Sequence, residues 1–338
     1  MEKTQRIQFN FKGLPLHDYL KKTDYLEGDD YFMHMSDQDL LSYIDTDHNT
    51  CLHVACFYQR RRATEYLIDR FQNNLALLIH ANSSKATLMH ILLGSKEADL
   101  VSKVLAIFLA TEGVDYLARQ DHKGQTVIQK AFANGYDKVG AELVDKVLKA
   151  GRCDILHATD VRGDCLLHTI IRSCDFPRIP AYLYRLITCM PIESLFASTE
   201  LAPSVVTLSI DMASFHQSDA LCRTIVSRIS PQTEAFFQQD SYGRTYLHRA
   251  VIAKLPAVVL LICGSMDGFH NFFNIKDKDG NTALDLFYQE WEDADNYPNL
   301  KQLLSKYTSS PVVSCYKQSM FIANPSNTDT SMCNLFGF

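Results

Sequence analysis

DSYGRTYLHRA, the stretch from Asp240 to Ala250, contains the pattern that decides the fold of this chain. Asp240 and Gly243 suit a tight turn, because an aspartate bonds to the backbone that follows it and a glycine tolerates positive φ. Thr245 supplies a hydroxyl that can cap the start of a helix, and Leu247 and Ala250 fall on one face of that helix. The stretch therefore predicts a turn followed by a short helix with one apolar face.

The same pattern recurs along most of the chain. Its further copies are DKDGNTALDL from Asp277 to Leu286, DTDHNTCLHVA from Asp45 to Ala55, DHKGQTVIQKA from Asp121 to Ala131, DVRGDCLLH from Asp160 to His168, and a weaker ATLMH from Ala86 to His90. The threonine position is filled by Thr50, Thr87, Thr126, Cys165, Thr245 and Thr282, at successive spacings of 37, 39, 39, 80 and 37 residues.

The spacing of 80 residues is about two periods, so a further copy is expected near residue 204. There the stretch SVVTLSIDMA, from Ser204 to Ala213, keeps the apolar spacing but lacks the turn glycine and the histidine. We interpret it as a degenerate copy, which brings the prediction to seven repeats.

These segments resemble the ankyrin signature, D-x-x-G-x-T-P-L-H-x-A. The resemblance implies an all-α ankyrin-repeat solenoid of about seven helix-turn-helix repeats with capping helices at both ends, in which stacked neighbours complete one core and leave a concave surface. By resemblance, the histidines at this position (His53, His90, His168 and His248) hydrogen-bond to backbone within and between turns. The spacing exceeds the family's usual period of about 33 residues, so longer second helices or longer loops are expected.

Three regions follow from this pattern. Residues 1–44 are predicted to hold an aromatic segment (8–33) and a capping helix over 36–44, where Ser36 and Asp39 resemble a capping box. Residues 45–307 are predicted to form the repeat array, closed by a helix over 299–307. Residues 308–338 are rich in serine and threonine and poor in charge, which predicts an extended polar tail.

Composition narrows the class of protein. The 338 residues have a formal net charge of −6, which argues against general nucleic-acid binding, because that binding depends on Lys and Arg neutralising phosphates. No apolar run is long enough for a membrane span. The chain has ten cysteines and no recognisable signal peptide, so we expect reduced, buried cysteines, among them Cys56, Cys189, Cys222 and Cys263, in a cytosolic reducing compartment.

Partners of ankyrin proteins commonly contact turn tips and exposed positions of the first helices. Carried onto the matching positions here, the resemblance implies a partner-binding set of Phe57, Tyr58, Arg60, Arg61, Lys130, Arg162, Arg172, Tyr242, Tyr246, Arg249 and Trp291. Tyr, Trp and Arg are enriched in binding hot spots. For Trp291, a buried role in the end cap is an equal alternative. The run Arg60–Arg62 is read as a solvated helix junction, a partner or phosphate contact, or a nuclear-import motif.

The sequence offers little support for a catalytic site or a metal site. Cys51-x-His53-x-x-Cys56 resembles half a metal site, but His53 occupies the ankyrin histidine position, which favours a structural role. No local signature of a cysteine nucleophile and no glycine-rich nucleotide-binding motif is present. The acidic run from Glu290 to Asp295 is read as a solvated face or an acidic contact patch. We predict no catalytic, cofactor or metal site.

The resulting prediction is a non-enzymatic, monomeric module that binds a protein through its concave face and turn tips. One alternative is an adaptor that recruits modifying machinery through its amino-terminal segment, where Leu14-Pro15 echoes the start of an F-box; a cysteine-dependent enzyme is less favoured. The last residues, from Ser326 to Phe338, resemble the carboxy-terminal signals of type IV-secreted effectors of intracellular bacteria. This implies a virulence effector delivered into host cytoplasm to bind a host protein, with a viral host-range protein or a eukaryotic scaffold as alternatives.

Overall fold

A computed structural model describes residues 20, 35–95, 97–111, 113–173, 180–199, 201–216, 218–230, 233–291 and 296–307. The predicted aromatic segment 8–33, Leu20 apart, and the predicted tail 308–338 lie outside the described residues. The chain divides into two compact units, residues 1–208 and residues 209–338. The division into cap, array and tail stays a prediction. None of the described helices combines the length and the apolar character that crossing a membrane requires.

Within the described residues the regular structure is helical, and the fold is the all-α ankyrin-repeat fold. Repeats 1 to 7 are numbered here by their threonine-position residues, Thr50, Thr87, Thr126, Cys165, Ser204, Thr245 and Thr282. Their first helices are Cys51–Phe57, Leu88–Leu92, Val127–Ala133, Leu166–Ser173, Val205–His216, Tyr246–Ile252 and Ala283–Glu290. Their second helices are Arg61–Phe71, Ala98–Thr111, Asp137–Lys149, Ala181–Cys189, Ala220–Ile229, Pro256–Ser265 and Pro298–Tyr307.

A third, short helix accounts for the long repeat period. The sequence led us to expect longer second helices or loops, but the added residues of repeats 1 to 6 form a further helical turn. These short third helices are Leu75–Leu78, the 3₁₀ helix Asp115–Ala118, Cys153–Leu156, Ile192–Phe196, Thr233–Phe236 and His270–Phe273. Each one buries apolar side chains, such as Leu78, Tyr116 and Phe272, against its own unit. The extra length is therefore part of the core.

The predicted end helices are present with changed bounds. The capping helix is Asp37–Leu41, where the Ser36 hydroxyl accepts a hydrogen bond from the backbone N–H of Asp39. It stops before Ile44, because Ile44 pairs with Thr50 in an isolated antiparallel bridge, so the prediction of a helix to residue 44 is wrong. The closing helix begins at Pro298, one residue earlier than predicted, and ends at Tyr307.

Every turn is organised by one side-chain oxygen at its first residue. This oxygen accepts two backbone N–H groups of the same turn at 2.7–3.3 Å. The seven residues are Asp45, Asn82, Asp121, Asp160, Thr199, Asp240 and Asp277. In repeat 5, Thr199 replaces the aspartate, and Ser204 accepts the N–H of Thr207 at 3.1 Å to cap the first helix. The local geometry thus supports the interpretation of the stretch from Ser204 to Ala213 as part of a degenerate repeat.

Side chains at the third position of the first helices join successive repeats. Nε2 of His53, His90, His168 and His248 lies 2.8–3.3 Å from the carbonyl oxygen that precedes the next repeat's capping residue. A carbonyl oxygen only accepts, so Nε2 must hold the proton and Nδ1 must be an acceptor. Accordingly, Nδ1 of His90 accepts the backbone N–H of Thr87 at 3.3 Å, and Nδ1 of His248 accepts that of Thr245 at 3.2 Å.

Burial keeps these imidazoles neutral. It lowers the pKa of His53 and of His90 to about 4, and it also lowers the pKa of His168 and His248. Repeat 3 makes the same connections with an amide, because Gln129 Oε1 accepts from Thr126 and Gln129 Nε2 donates to the carbonyl of Asp164. Repeat 7 has Asp285 at this position, and its Oδ2 accepts the backbone N–H of Thr282 at 2.9 Å.

The cysteines differ from the prediction at one position. Cys51, Cys56, Cys165, Cys222 and Cys263 are free and buried, and burial raises the pKa of Cys51, Cys56, Cys222 and Cys263 to about 12. Cys189 is free but only half-buried, so the prediction of a buried thiol is wrong there. It lies at the last residue of its helix, next to a partly exposed Cys153.

His90→Gln tests the role of the neutral imidazole. The folded-state pKa of about 4 lies below the ordinary 6.5, so the stabilisation is complete above pH 6.5 and is lost as the pH falls toward 4. H90Q keeps both hydrogen bonds, as Gln129 does, and should unfold near the wild-type urea concentration at pH 7.5. Between pH 7.5 and pH 5 it should lose about 2 kcal/mol less unfolding free energy than the wild type.

H90A is the matched control, since it removes both bonds and should be destabilised at every pH. An identical pH-dependent loss in H90Q and the wild type would show that His90 is not held neutral by the fold.

Candidate partner-binding surface

A groove in the first unit collects the turn residues and first helices of repeats 1 to 3. It encloses about 630 Å³. Its turn residues are Asp45, Asp47, Asn49, Asn82, Ser83, Ser84, Ala86, Asp121 and His122. Its remaining residues are His53, Val54, Cys56, Phe57, Tyr58, Gln59, His90, Ile91, Gly94, Ser95 and Lys130. We refer to this set as the repeat 1–3 groove.

Backbone hydrogen bonds between successive turn tips set the spacing along the groove. The N–H of Ser83 donates to the carbonyl of Asp47 at 2.8 Å, and the N–H of His122 donates to the carbonyl of Ser84 at 2.8 Å. These bonds use main-chain atoms and leave the side chains of the tips for other contacts. The backbone of the turn tips is therefore held in place, while their side chains can differ from one repeat to the next without loss of these bonds.

Two aromatic residues mark one end of this groove. Phe57 is the last residue of the first helix of repeat 1, and 69% of its surface is exposed, while Tyr58 is 36% exposed. Their rings meet edge to face with centroids 5.2 Å apart. The other helix residues, such as Val54 and Cys56, are buried in the unit. Phe57 and Tyr58 therefore form an exposed aromatic pair beside the turn tips of the groove.

The groove has a negative balance of charge. Asp45, Asp47 and Asp121 line it together with one cation, Lys130, while His53 and His90 are held neutral. Lys130 Nζ lies 3.2 Å from Asp121 Oδ2. Burial opposes the ionisation of Asp121, but the backbone N–H of Gln125 and the Lys130 ammonium hold its pKa below the usual value. Asp47, at the tip of the first turn, adds an exposed carboxylate to the residues that line this groove.

Several predicted contact cations are engaged within the chain. Lys130 pairs with Asp121, Arg172 pairs with Asp164, and Arg249 pairs with Asp240 at 2.6 Å. Arg249 also contacts Asp211 at 3.1 Å. In each case a first-helix cation folds back onto a turn of its own repeat. Their partner-binding role stays a prediction, and the structure adds a role in bracing the turns.

The basic run of residues 60–62 is also largely engaged. Arg60 Nε donates to the carbonyl of Leu20 at 2.7 Å, and Arg61 forms ion pairs with Glu97 and Asp99. These contacts favour an intrachain role at the helix junction over a free basic motif.

Two predicted contact residues lie in the interior, which contradicts the expected exposure of Tyr246 and agrees with the buried alternative for Trp291. Tyr246 and Trp291 are each 5% exposed. Trp291 Nε1 donates to the carbonyl of Val251 at 2.8 Å, and its ring packs against Phe287 with centroids 4.9 Å apart. Tyr246 is the first residue of its helix, where the side chain turns inward toward Phe236. Neither residue presents a surface to a partner.

The remaining predicted residues, Phe57, Tyr58, Arg162 and Tyr242, reach solvent. Phe57 and Tyr58 belong to the groove, Arg162 lies at the tip of turn 4, and Tyr242 lies in the second unit with 60% of its surface exposed. The Arg244 guanidinium lies over the Tyr242 ring, 5.3 Å from its centroid. The structure brings Phe57 and Tyr58 together and leaves Arg162 outside their groove.

Sequence reasoning missed some exposed residues. Asp47 and His122 line the groove at its turn tips, and Val161, beside Arg162, is 67% exposed. Asp47 stands three residues before Thr50, as Lys123 stands three before Thr126. Counting back from the capping threonine would have found it.

The half metal site is used for structure. The Cys51 thiol donates to the carbonyl of Leu40 at 3.7 Å, and both ring nitrogens of His53 have partners in Thr50 and Ala86. No group of three or more His, Cys, Asp or Glu side chains is placed to hold a metal ion in the part of the chain that the structure describes.

Comparisons with known proteins add the following. No protein-family model and no curated protein sequence matches the chain. Among solved structures, it is similar to the ankyrin repeat domain of Bcl-3, a member of the IkappaB family, with 16% identity over 71% of this chain and 94% of that one, and a TM-score of 0.42.

It is also similar to a chain in the complex of the Bd0816 predatory endopeptidase with immunity protein Bd3460 from Bdellovibrio bacteriovorus. That match has 16% identity, covers 67% of this chain and 99% of the other, and has a TM-score of 0.42. The assignment of the fold therefore stands on the seven turns and their helices in this chain.

Tyr246→Ala and Tyr242→Ala form a matched pair that separates interior from surface. Y246A removes a ring that is 5% exposed and should lower the unfolding free energy by about 3 kcal/mol. Y242A removes a ring that is 60% exposed and should change it by less than about 0.5 kcal/mol. Urea unfolding followed by circular dichroism measures both, and equal losses would contradict the assignment of Tyr246 to the core.

Proposed function

We propose that this chain is a non-enzymatic protein-binding module that acts as a monomer, and that the repeat 1–3 groove is its principal contact surface. The observation that carries the proposal is the coincidence of two features in one groove. It presents an exposed aromatic pair, Phe57 and Tyr58, and it has a row of turn tips held by backbone hydrogen bonds. Exposed aromatics beside a preorganised polar surface are the usual elements of a binding hot spot.

The chemistry of the groove favours one kind of occupant. The exposed carboxylate of Asp47 attracts Lys or Arg side chains, and the ring faces of Phe57 and Tyr58 accept both apolar groups and cations. The groove has a volume of about 630 Å³ and runs along the turns of three repeats, a shape that suits an extended segment. We therefore propose that the partner inserts an extended segment with basic and apolar side chains.

Selection of random short peptides against the intact protein tests this function. The selected peptides should be rich in Lys or Arg next to apolar residues. F57A and D47K should each weaken their binding by about tenfold or more, because the first removes the aromatic contact and the second reverses a groove charge.

D279K is the matched control, since Asp279 occupies in repeat 7 the turn position that Asp47 occupies in repeat 1. It should leave binding unchanged. Peptides that bind F57A, D47K and wild type equally would contradict the groove as the contact surface, and the absence of any selected peptide would contradict a peptide-binding function.

We further propose that the protein is a secreted effector that binds a host protein. The support is the resemblance of residues 326–338 to carboxy-terminal secretion signals, which lies outside the described residues. The partner set is independent of that tail, so delivery and binding are separable properties of the chain.

Deletion of residues 325–338 tests the delivery step. In a type IV translocation assay with a reporter fused at the amino terminus, the truncated chain should stay in the bacterium. Its affinity for the selected peptides should equal that of the full chain. Undiminished delivery of the truncated chain would remove the secretion proposal and leave the binding proposal intact.

A further inference from the structure

Cys153 and Cys189 stand apart from the other described cysteines, because both are partly exposed while the remaining five are buried. Cys153 opens the third helix of repeat 3, Cys153–Leu156, and Cys189 ends the second helix of repeat 4, Ala181–Cys189. Both helices pack on the second helix of repeat 3, Asp137–Lys149. Two solvent-accessible thiols therefore belong to adjacent repeats of the same unit.

A hydrogen bond joins the two segments that carry these cysteines. His157 lies four residues after Cys153, on the same face of its helical turn, and its Nε2 lies 3.2 Å from the carbonyl oxygen of Cys189. The Cys189 thiol donates to the carbonyl of Leu186 at 3.2 Å, and the side chains of Cys189 and Cys153 lie near enough to interact electrostatically. The backbone of one cysteine is thus anchored beside the side chain of the other.

We propose that Cys153 and Cys189 form an oxidative modification site that closes to an intramolecular disulfide between repeats 3 and 4. The oxidant is a hydroperoxide, with hydrogen peroxide as its simplest member. Closure requires two accessible thiols on neighbouring segments, and Cys153 and Cys189 meet both conditions while the buried cysteines are not accessible.

The reaction balances in two steps. The Cys153 thiolate attacks hydrogen peroxide, the O–O bond breaks, and hydroxide leaves a sulfenic acid on Cys153. The Cys189 sulfur then attacks the Cys153 sulfur, the S–S bond forms, the S–O bond breaks, and water leaves with the proton of the Cys189 thiol. Two thiols lose two hydrogens, and one peroxide becomes two waters.

The order of the two steps follows from the surroundings of Cys189. The Cys189 thiol donates a hydrogen bond to the carbonyl of Leu186 at 3.2 Å, a bond that only the protonated sulfur can make, and burial raises the pKa of Cys189. Cys153 is accordingly the residue that meets the oxidant, and Cys189 is the residue that resolves the sulfenic acid. The closed bond would link two repeats whose stacking otherwise depends on noncovalent contacts.

Peptide mapping of the oxidised full chain tests the proposal. The protein is treated with an equimolar amount of hydrogen peroxide at neutral pH, its remaining thiols are blocked with N-ethylmaleimide, and it is digested with trypsin and Glu-C. The expected product is a cross-linked pair, Cys153–Arg162 with Leu186–Glu193, with a mass two hydrogens below the sum of the peptides. The apparent melting temperature should rise on oxidation and return after dithiothreitol.

C153A and C189A should each abolish the cross-link and the rise in melting temperature, whereas C222A, at a buried thiol, should keep both. The proposal is overturned if both peptides of the oxidised wild type are found blocked by N-ethylmaleimide, if either cysteine is found linked to a different cysteine, or if oxidation stops at a sulfinic acid.

Discussion

The hydrogen bond from a buried, neutral imidazole to the backbone of the following turn is the interaction on which this fold depends. Each ankyrin-type repeat has too little apolar surface to form a core alone, so its stability rests on contact with its neighbours. Each of these histidines caps its own first helix through Nδ1 and reaches the next repeat through Nε2. In His90, Nδ1 accepts the backbone N–H of Thr87 and Nε2 donates to the carbonyl of Gln125. Both bonds require the neutral ring with its proton on Nε2, and burial enforces that state.

The repeats that have another residue at the histidine position follow the same hydrogen-bonding constraint. Gln129 offers one acceptor and one donor at a similar separation, and it makes both connections. Asp285 offers acceptors alone, and in the last repeat it caps its helix through Thr282. Thr207 in repeat 5 is shorter, and its hydroxyl accepts from Ser204. The residue type at the third position of the first helix thus indicates whether a repeat donates a hydrogen bond to the backbone of the next repeat.

Local chemistry made the turns and first helices predictable, because the residues that form them are neighbours in sequence. Asp240, Gly243 and Thr245 specify a turn and a cap without reference to the rest of the chain. The third helix of each repeat was not predictable in this way, since Leu75–Leu78 and its counterparts are too short to show a helical period. The burial of Tyr246 and Trp291, and the pairing of Arg249 with Asp211 and Asp240, depend on which surfaces meet after folding. For that reason the fold was predicted better than the contact surface.

The proposed function depends on a separation between the residues that fix the fold and those that face solvent. Backbone atoms and buried polar side chains fix the turns, so the exposed side chains of the tips and helix ends are free to vary without loss of the fold. In the first unit this freedom leaves Phe57, Tyr58 and Asp47 around one groove. Three of the cations expected to touch a partner, Lys130, Arg172 and Arg249, also brace the turns, and the proposed contact surface in the repeat 1–3 groove is aromatic and acidic.

Nitrogen-15 NMR of the histidine side chains in the folded protein tests the central claim most directly. At pH 5.5, where ordinary histidines are mostly protonated, His53 and His90 should give the signals of neutral rings with the proton on Nε2. Signals of protonated rings for these two residues, or of neutral rings with the proton on Nδ1, would contradict the account, because neither form can connect one repeat to the next.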